Sequence, residues 1–223
     1  PTRVTSSKAS TANTTVYLID KPGAPQSSFR IGSIGVTRAT QDFFPLQVMN
    51  TILGGAFTSR VNNNLRETKG YTYGAGSSFD MRQAEGPFTA RAEIVREKSD
   101  SALIEFFKEL RNIRETVPGD ELNKAKRYLQ LGLPAQFETT SDIAFRLAPL
   151  AIYDLPLDYF NNYAQQIGTV TAADVQRVAQ QYVRPDNFSV VIVGDLKTIE
   201  QGIRAVKIGN VEIRDMSGRP IVQ

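Results

Sequence analysis

The sequence predicts an α+β fold over residues 14–223, a mostly antiparallel β-sheet packed against several α-helices. Three observations lead there. Period-two alternation recurs between residues 14 and 94, helical periodicity fills the stretch from Leu103 to Tyr182, and an unbroken apolar run, FSVVIV, follows at 188–193. Strands, then helices, then a buried strand describe helices laid on a sheet. With no second core and no repeat of fixed period, the reading is a single domain.

The elements follow in order. Residues 1–13 are rich in Ser and Thr and lack apolar periodicity, so they read as a flexible tail or linker. Val16, Leu18 and Ile19 mark a strand that runs into the turn signal Lys21-Pro22-Gly23. Phe29 and Ile31 then alternate with Arg30 and Gly32 in a second strand. A helix is expected over 44–53, with Leu46, Met49 and Leu53 on one face and Gly54-Gly55 as its stop. Thr58 or Ser59 caps another over residues up to 69, ended by Gly70. Residues 71–79 alternate with Tyr71, Tyr73, Ala75, Ser77 and Phe79 on one face. After Glu85-Gly86-Pro87, a returning strand sets Phe88, Ala90, Ala92 and Ile94 inward and Thr89, Arg91 and Glu93 outward.

Helices follow at Leu103–Ile113, at Leu122–Leu129, and after Thr139 or Thr140 with Ile143, Leu147 and Leu150 as the apolar face. Tyr159, Phe160, Tyr163 and Ile167 form a short fourth. Thr171 and Asp174 have the spacing of a capping box for a fifth. A short helix near 197–206 and a weak strand near 207–213 complete the fold.

Composition excludes several chemistries. The chain has no His and no Cys, so Ser-His triads and Cys-His dyads are ruled out, and a zinc site built by this chain alone is not expected. Lys plus Arg number 26 against 23 Asp plus Glu, scattered without a basic block, which reads as solvated surface and not as a nucleic-acid interface. No run approaches the roughly 18 apolar residues of a membrane span. Glu105, Glu109 and Glu121 read as solvent-facing, with no carboxylate pair suited to acid–base work. The chain begins at Pro1 without an apolar signal core, as a processed product or a piece of a longer chain would.

The segment LGGAFTSRVNNNLRETKGYTYG at 53–74 carries a resemblance, joined by KPGAPQSSFRIGSIG at 21–35, ELNKAK at 121–126 and VVIVGD at 190–195. In order and spacing these resemble the second-half domain of the insulinase, pitrilysin and mitochondrial-processing-peptidase family of zinc metallopeptidases. The resemblance implies a processing-peptidase-like α+β fold. It also implies a pair of homologous domains, one carrying zinc on an inverted H-x-x-E-H motif and one lacking it. Without His, this chain resembles the second kind: no cofactor bound by the chain itself, zinc expected in a homologous partner domain or subunit, and a dimer-like pairing around a peptide substrate. Resemblance to bacterial members points to the periplasm or cell envelope.

The resemblance also implies an Arg/Tyr pair seven residues apart, which here is Arg66 and Tyr73. Tyr73 would donate to the scissile carbonyl in trans, and Arg66 would bind substrate. Tyr71, two residues earlier, is the competing tyrosine and a further substrate-binding candidate. A phenol can stabilise a developing oxyanion, and a guanidinium fork suits carbonyl or carboxylate. The plainer alternatives are an Arg66 paired with Glu67 or Asp80 and tyrosines that serve as ordinary strand aromatics. The implied function is a chamber-closing, peptide-binding half that is inactive alone. The alternative is a scaffold with the same fold and no part in proteolysis, for which core proteins of respiratory cytochrome reductase are the family precedent.

Overall fold

A computed structural model describes residues 13–221, so the expected tail falls outside the described residues except at Asn13. The strands are β1 (Thr15–Asp20), β2 (Gln26–Ile34), β3 (Thr72–Phe79), β4 (Pro87–Val95), β5 (Ser189–Gly194) and β6 (Asn210–Arg214). They form one sheet in the order β3-β4-β2-β5-β1-β6. The apolar run at 188–193 takes the interior position its composition calls for, with β2 on one side and β1 on the other.

The sheet is mixed, where a mostly antiparallel one was expected. β3–β4, β4–β2 and β2–β5 are antiparallel, but β5–β1 and β1–β6 are parallel. The reason is the helix α8 (Leu196–Val206), which joins β5 to β6 as a crossover and so returns the chain in the same direction. β1 fits between those two strands, running parallel to both.

One face of the sheet is the core face. Val16, Leu18, Phe29, Ile31, Phe88, Ile94, Val190 and Ile192 are buried there, in one cluster with Phe106, Phe107 and Leu110 of α3 (Ser99–Asn112) and Val175 and Val178 of α7 (Ala172–Tyr182). Burial at about 25 cal/mol per Å² of apolar surface makes this the main stabilising term. The opposite face carries Arg30, Arg91, Glu93 and Val95 exposed. Around the core lie α1 (Phe43–Asn50), the single turn α2 (Arg60–Asn62), α4 (Gly119–Leu131), α5 (Thr140–Ile152) and α6 (Tyr163–Thr169).

Both capping boxes are complete: Thr139 accepts from the Asp142 amide, and Thr171 from the Asp174 amide. The α5 face expected to be buried is not. Only Leu150 is buried, while Ile143, Leu147 and Phe145 are exposed. α5 lies at the periphery, and periodicity reports an apolar face without reporting what covers it.

The two helices before β3 also differ from expectation. α1 ends at Asn50 and widens into a π-helical turn, Thr51–Gly55; α2 likewise gives way to a π-helix, Asn63–Thr68. Ser59 occupies the N-cap position of α2, yet its side chain makes no cap bond. Glu105 is not solvent-facing either: its side chain is only 14% exposed and is held by Asn64 and Lys69.

Candidate functional site

The site is built around the outer strand β3 and the two π-helical segments that press against it. Gly54 lets the first approach: a Cβ there would meet the Ser77 amide nitrogen at 2.3 Å, and one on Gly76 would meet the Gly54 carbonyl at 2.8 Å. Close backbone packing therefore sets the need for Gly54, beyond its expected role as a helix stop. Asn50 locks the contact, donating from Nδ2 to the Ser77 carbonyl (3.1 Å) and accepting from the Ser77 hydroxyl (2.7 Å).

Asn62 is buried and does the same work one step along. Its Nδ2 donates to the Phe57 carbonyl (2.6 Å), and its Oδ1 accepts from the Ala75 amide (3.0 Å). Unpaired edge groups of Ala75 and Ser77 are thereby satisfied by side chains, which blunts a strand edge otherwise free to pair with another chain.

β3 does not alternate as its sequence suggests. Thr72 stands opposite Ile94 and Ala75 opposite Ala92, so Tyr73 and Gly74 share the single position facing Glu93. That two-against-one register is a β-bulge. The Thr72 hydroxyl stabilises it, accepting from the Gly74 amide (3.1 Å) and donating to the Glu93 carbonyl (2.7 Å). Thr72 is buried, Tyr73 is exposed, and the inward series resumes at Ala75, opposite buried Ala92; the five-residue alternating face is not formed. Tyr71 and Tyr73 consequently differ in surroundings. Tyr73 is 89% exposed, whereas Tyr71 is partly buried against the core and anchored by its backbone to Leu65 and Val95.

Arg66 sits in the π-helix Asn63–Thr68, which Gly70 ends with a φ of +65°. Its guanidinium lies 4.5 Å over the ring of Phe57, an aromatic that is 64% exposed. The Glu67 carboxylate is 3.5 Å away, so that plainer partner is realised, while Asp80 pairs with Arg82 instead. Stacking on Phe57 orients the fork and leaves its N–H edge free of hydrogen bonds among the described residues.

The flanks of this segment are tied to α3. Asn64 Nδ2 donates to Glu105 (2.8 Å) and Glu109 (2.6 Å), and Lys69 pairs with Glu105 at 3.3 Å. Burial alone would raise the Glu105 carboxyl, but the bonds from Asn64 and Lys69 outweigh it and hold the group below the ordinary range.

Beside these residues a cleft of about 500 Å³ opens over the sheet, lined by Gly54, Phe57, Asn62, Gly74, Gly76, Arg30, Arg91 and Glu93, among others. Phe57 links it to Arg66, and Gly74 links it to the bulge that carries Tyr73. Sequence reading singled out Arg66, Tyr71 and Tyr73 but passed over Phe57, Asn62 and the arginine pair. A lone aromatic between Gly-Gly and Ser-Arg was the available signal for Phe57. Nothing in the sequence marked Asn62 out from Asn63 and Asn64.

The donor chemistry does not suit zinc. The chain offers no imidazole and no thiol. Among the described residues no group of three or more Asp or Glu side chains is placed to hold a metal ion. Nor, among those residues, is any helix long and apolar enough to cross a membrane.

A family profile described as the peptidase M16 inactive domain matches residues 1–129. An uncharacterized zinc protease of Mycobacterium tuberculosis is 25% identical over 186 residues, covering 82% of this chain and 42% of the relative. Another from Rickettsia bellii is 24% identical, covering 67% of this chain and 36% of its own. Among solved structures, a peptidase M16 inactive domain from Pseudomonas fluorescens superposes with a TM-score of 0.74 at 27% identity, covering 82% of this chain and 44% of that one. A Helicobacter pylori protease shares the fold, with a TM-score of 0.72 at 21% identity and coverage of 80% and 43%. The chain thus spans well under half the length of the curated relatives it matches. A profile that covers more than half of the chain leads to one placement: this chain belongs to the peptidase M16 inactive-domain family.

Proposed function

We propose that this chain is the non-catalytic half of a two-part zinc metallopeptidase. It closes the substrate chamber and binds peptide through Arg66 and Tyr73, while a homologous partner domain or subunit carries the zinc. The observation that carries the reading is the β3 bulge, which holds Tyr73 out in solvent one residue from the cleft floor while the Arg66–Phe57 stack forms a neighbouring wall. In peptide hydrolysis negative charge develops on the scissile carbonyl oxygen, and Tyr73 would donate a hydrogen bond to it. Arg66 would hold a backbone carbonyl or carboxylate of the same peptide, its fork already oriented. Tyr71 would serve as support beneath the strand. A partner also accounts for α5, whose apolar composition is that of a covered helix although only Leu150 is buried.

The purified chain is expected to bind no stoichiometric zinc and to cleave no peptide, and to gain hydrolysis when mixed with its zinc-bearing half. Zinc-dependent proteolysis by the contaminant-free chain would overturn the reading. In the mixture, Arg66→Ala is expected to raise KM. Full activity in an Arg66→Ala, Tyr73→Phe double variant would instead favour a scaffold with no role in proteolysis.

A further inference from the structure

The open face of the sheet holds an arginine pair that packing does not explain. Register places Arg30 of β2 directly opposite Arg91 of β4, and the row continues to Gly76 on one side and, on the other, to Val191, Tyr17 and Glu212, the last already paired with Arg214. Like charges directly opposite each other destabilise a sheet. The one acid in the cleft, Glu93, is already engaged: it accepts from Arg30 Nη1 at 3.2 Å and from the Ser28 hydroxyl at 2.8 Å. Arg30 Nη1 also donates to the Phe29 carbonyl at 2.7 Å. The Arg91 side chain is exposed and makes no hydrogen bond or ion pair among the described residues. Both arginines line the cleft opposite Gly74 and Gly76, where the absence of side chains lets another backbone come close. The β3 edge is capped by Asn50 and Asn62, so a peptide here lies across the face and does not extend the sheet.

We infer that Arg30 and Arg91 form a carboxylate-binding subsite that gives the cleft a preference for peptides carrying an Asp or Glu side chain. This rests on the peptide-binding reading above and names its substrate chemistry. Glu93 balances one guanidinium and leaves the second fork unneutralised, so a single substrate carboxylate completes the charge of the arginine pair. Arg91 supplies the free bidentate edge, and Arg30, held by Glu93 and the Phe29 carbonyl, supplies a fixed second charge.

The test is a titration of the full chain with end-blocked peptides identical except for a central Glu or Gln, followed by fluorescence anisotropy at low and high salt. The Glu peptide is expected to bind about tenfold more tightly than the Gln peptide, a difference of about 1.4 kcal/mol. High salt should shrink that ratio. Arg91→Ala should bring the ratio close to one, and Arg91→Lys should restore part of it. Equal binding of both peptides to the unaltered chain would overturn the subsite and leave the peptide-binding role standing. Binding of neither would overturn both. A Glu preference that survives Arg91→Ala, or one reproduced by free acetate competing at equal strength, would also contradict a built subsite.

Discussion

At the scale of single residues, two substitutions examine how the site is held. Asn62 satisfies the Phe57 carbonyl and the Ala75 amide from a buried position. Asn62→Ala leaves both without a partner, and is expected to cost about 1–3 kcal/mol per buried group left unpaired. Urea unfolding reads this as a lower midpoint at unchanged slope. Gly54→Ala is expected to be at least as harmful, because the obstructing atom is Ser77 backbone and not the end of a flexible side chain. A Gly54→Ala chain as stable as the parent would show that the π-helical turn and β3 are not in the close contact described. Tyr73 is an exposed surface group, so its removal should alter stability by less than about 0.5 kcal/mol, and loss of the Arg66–Phe57 stack should cost no more than about 1 kcal/mol. Function and stability are therefore separable at this site.

At the scale of elements, α1 and α7 are joined by one carboxylate. Asp42, just before α1, accepts from Arg177 Nη2 (2.7 Å) and from the Tyr182 hydroxyl (2.7 Å), both on α7. The Arg177 bond holds its carboxyl below the ordinary aspartate value of 3.8, with Tyr182 adding to the effect against the opposing cost of burial. A depressed folded-state value stabilises above the unfolded pKa and is lost as pH falls through the folded one. Asp42→Asn should thus be less stable at pH 7 by about 1–2 kcal/mol, reduced from the full charged-bond value because Arg177 is half-exposed. The gap should close below about pH 3.8, measurable as converging thermal midpoints. The same scale shows what was legible in the sequence. The Thr171–Asp174 capping box and the alternation of Phe88 to Ile94 rest on neighbours within a few residues, and both appear as read. The bulge at Tyr73 and the π-helical turns do not, because Gly54, Asn50 and Asn62 create them through contacts far along the chain. α5 fails for the complementary reason: Ile143 and Leu147 are apolar at helical spacing, but no element of the described structure covers them.

At the scale of the whole molecule, the sheet has one face committed to the core and one presenting Tyr73, Arg30 and Arg91 to solvent. The family is that of inactive domains, and the curated relatives are more than twice as long as the stretch they share with this chain. The central proposal is that the open face completes an active site whose zinc lies elsewhere, and that the bulge selects Tyr73 over Tyr71. The most direct measurement compares kcat/KM for Tyr73→Phe and Tyr71→Phe, each paired with the zinc-bearing half. Removing only the phenolic hydroxyl at Tyr73 is expected to lower kcat/KM by about 10²- to 10³-fold through kcat, the usual loss for one oxyanion donor. Tyr71→Phe should stay within a few-fold of the parent. Parent-like turnover in Tyr73→Phe, with peptide binding intact, would contradict the assignment.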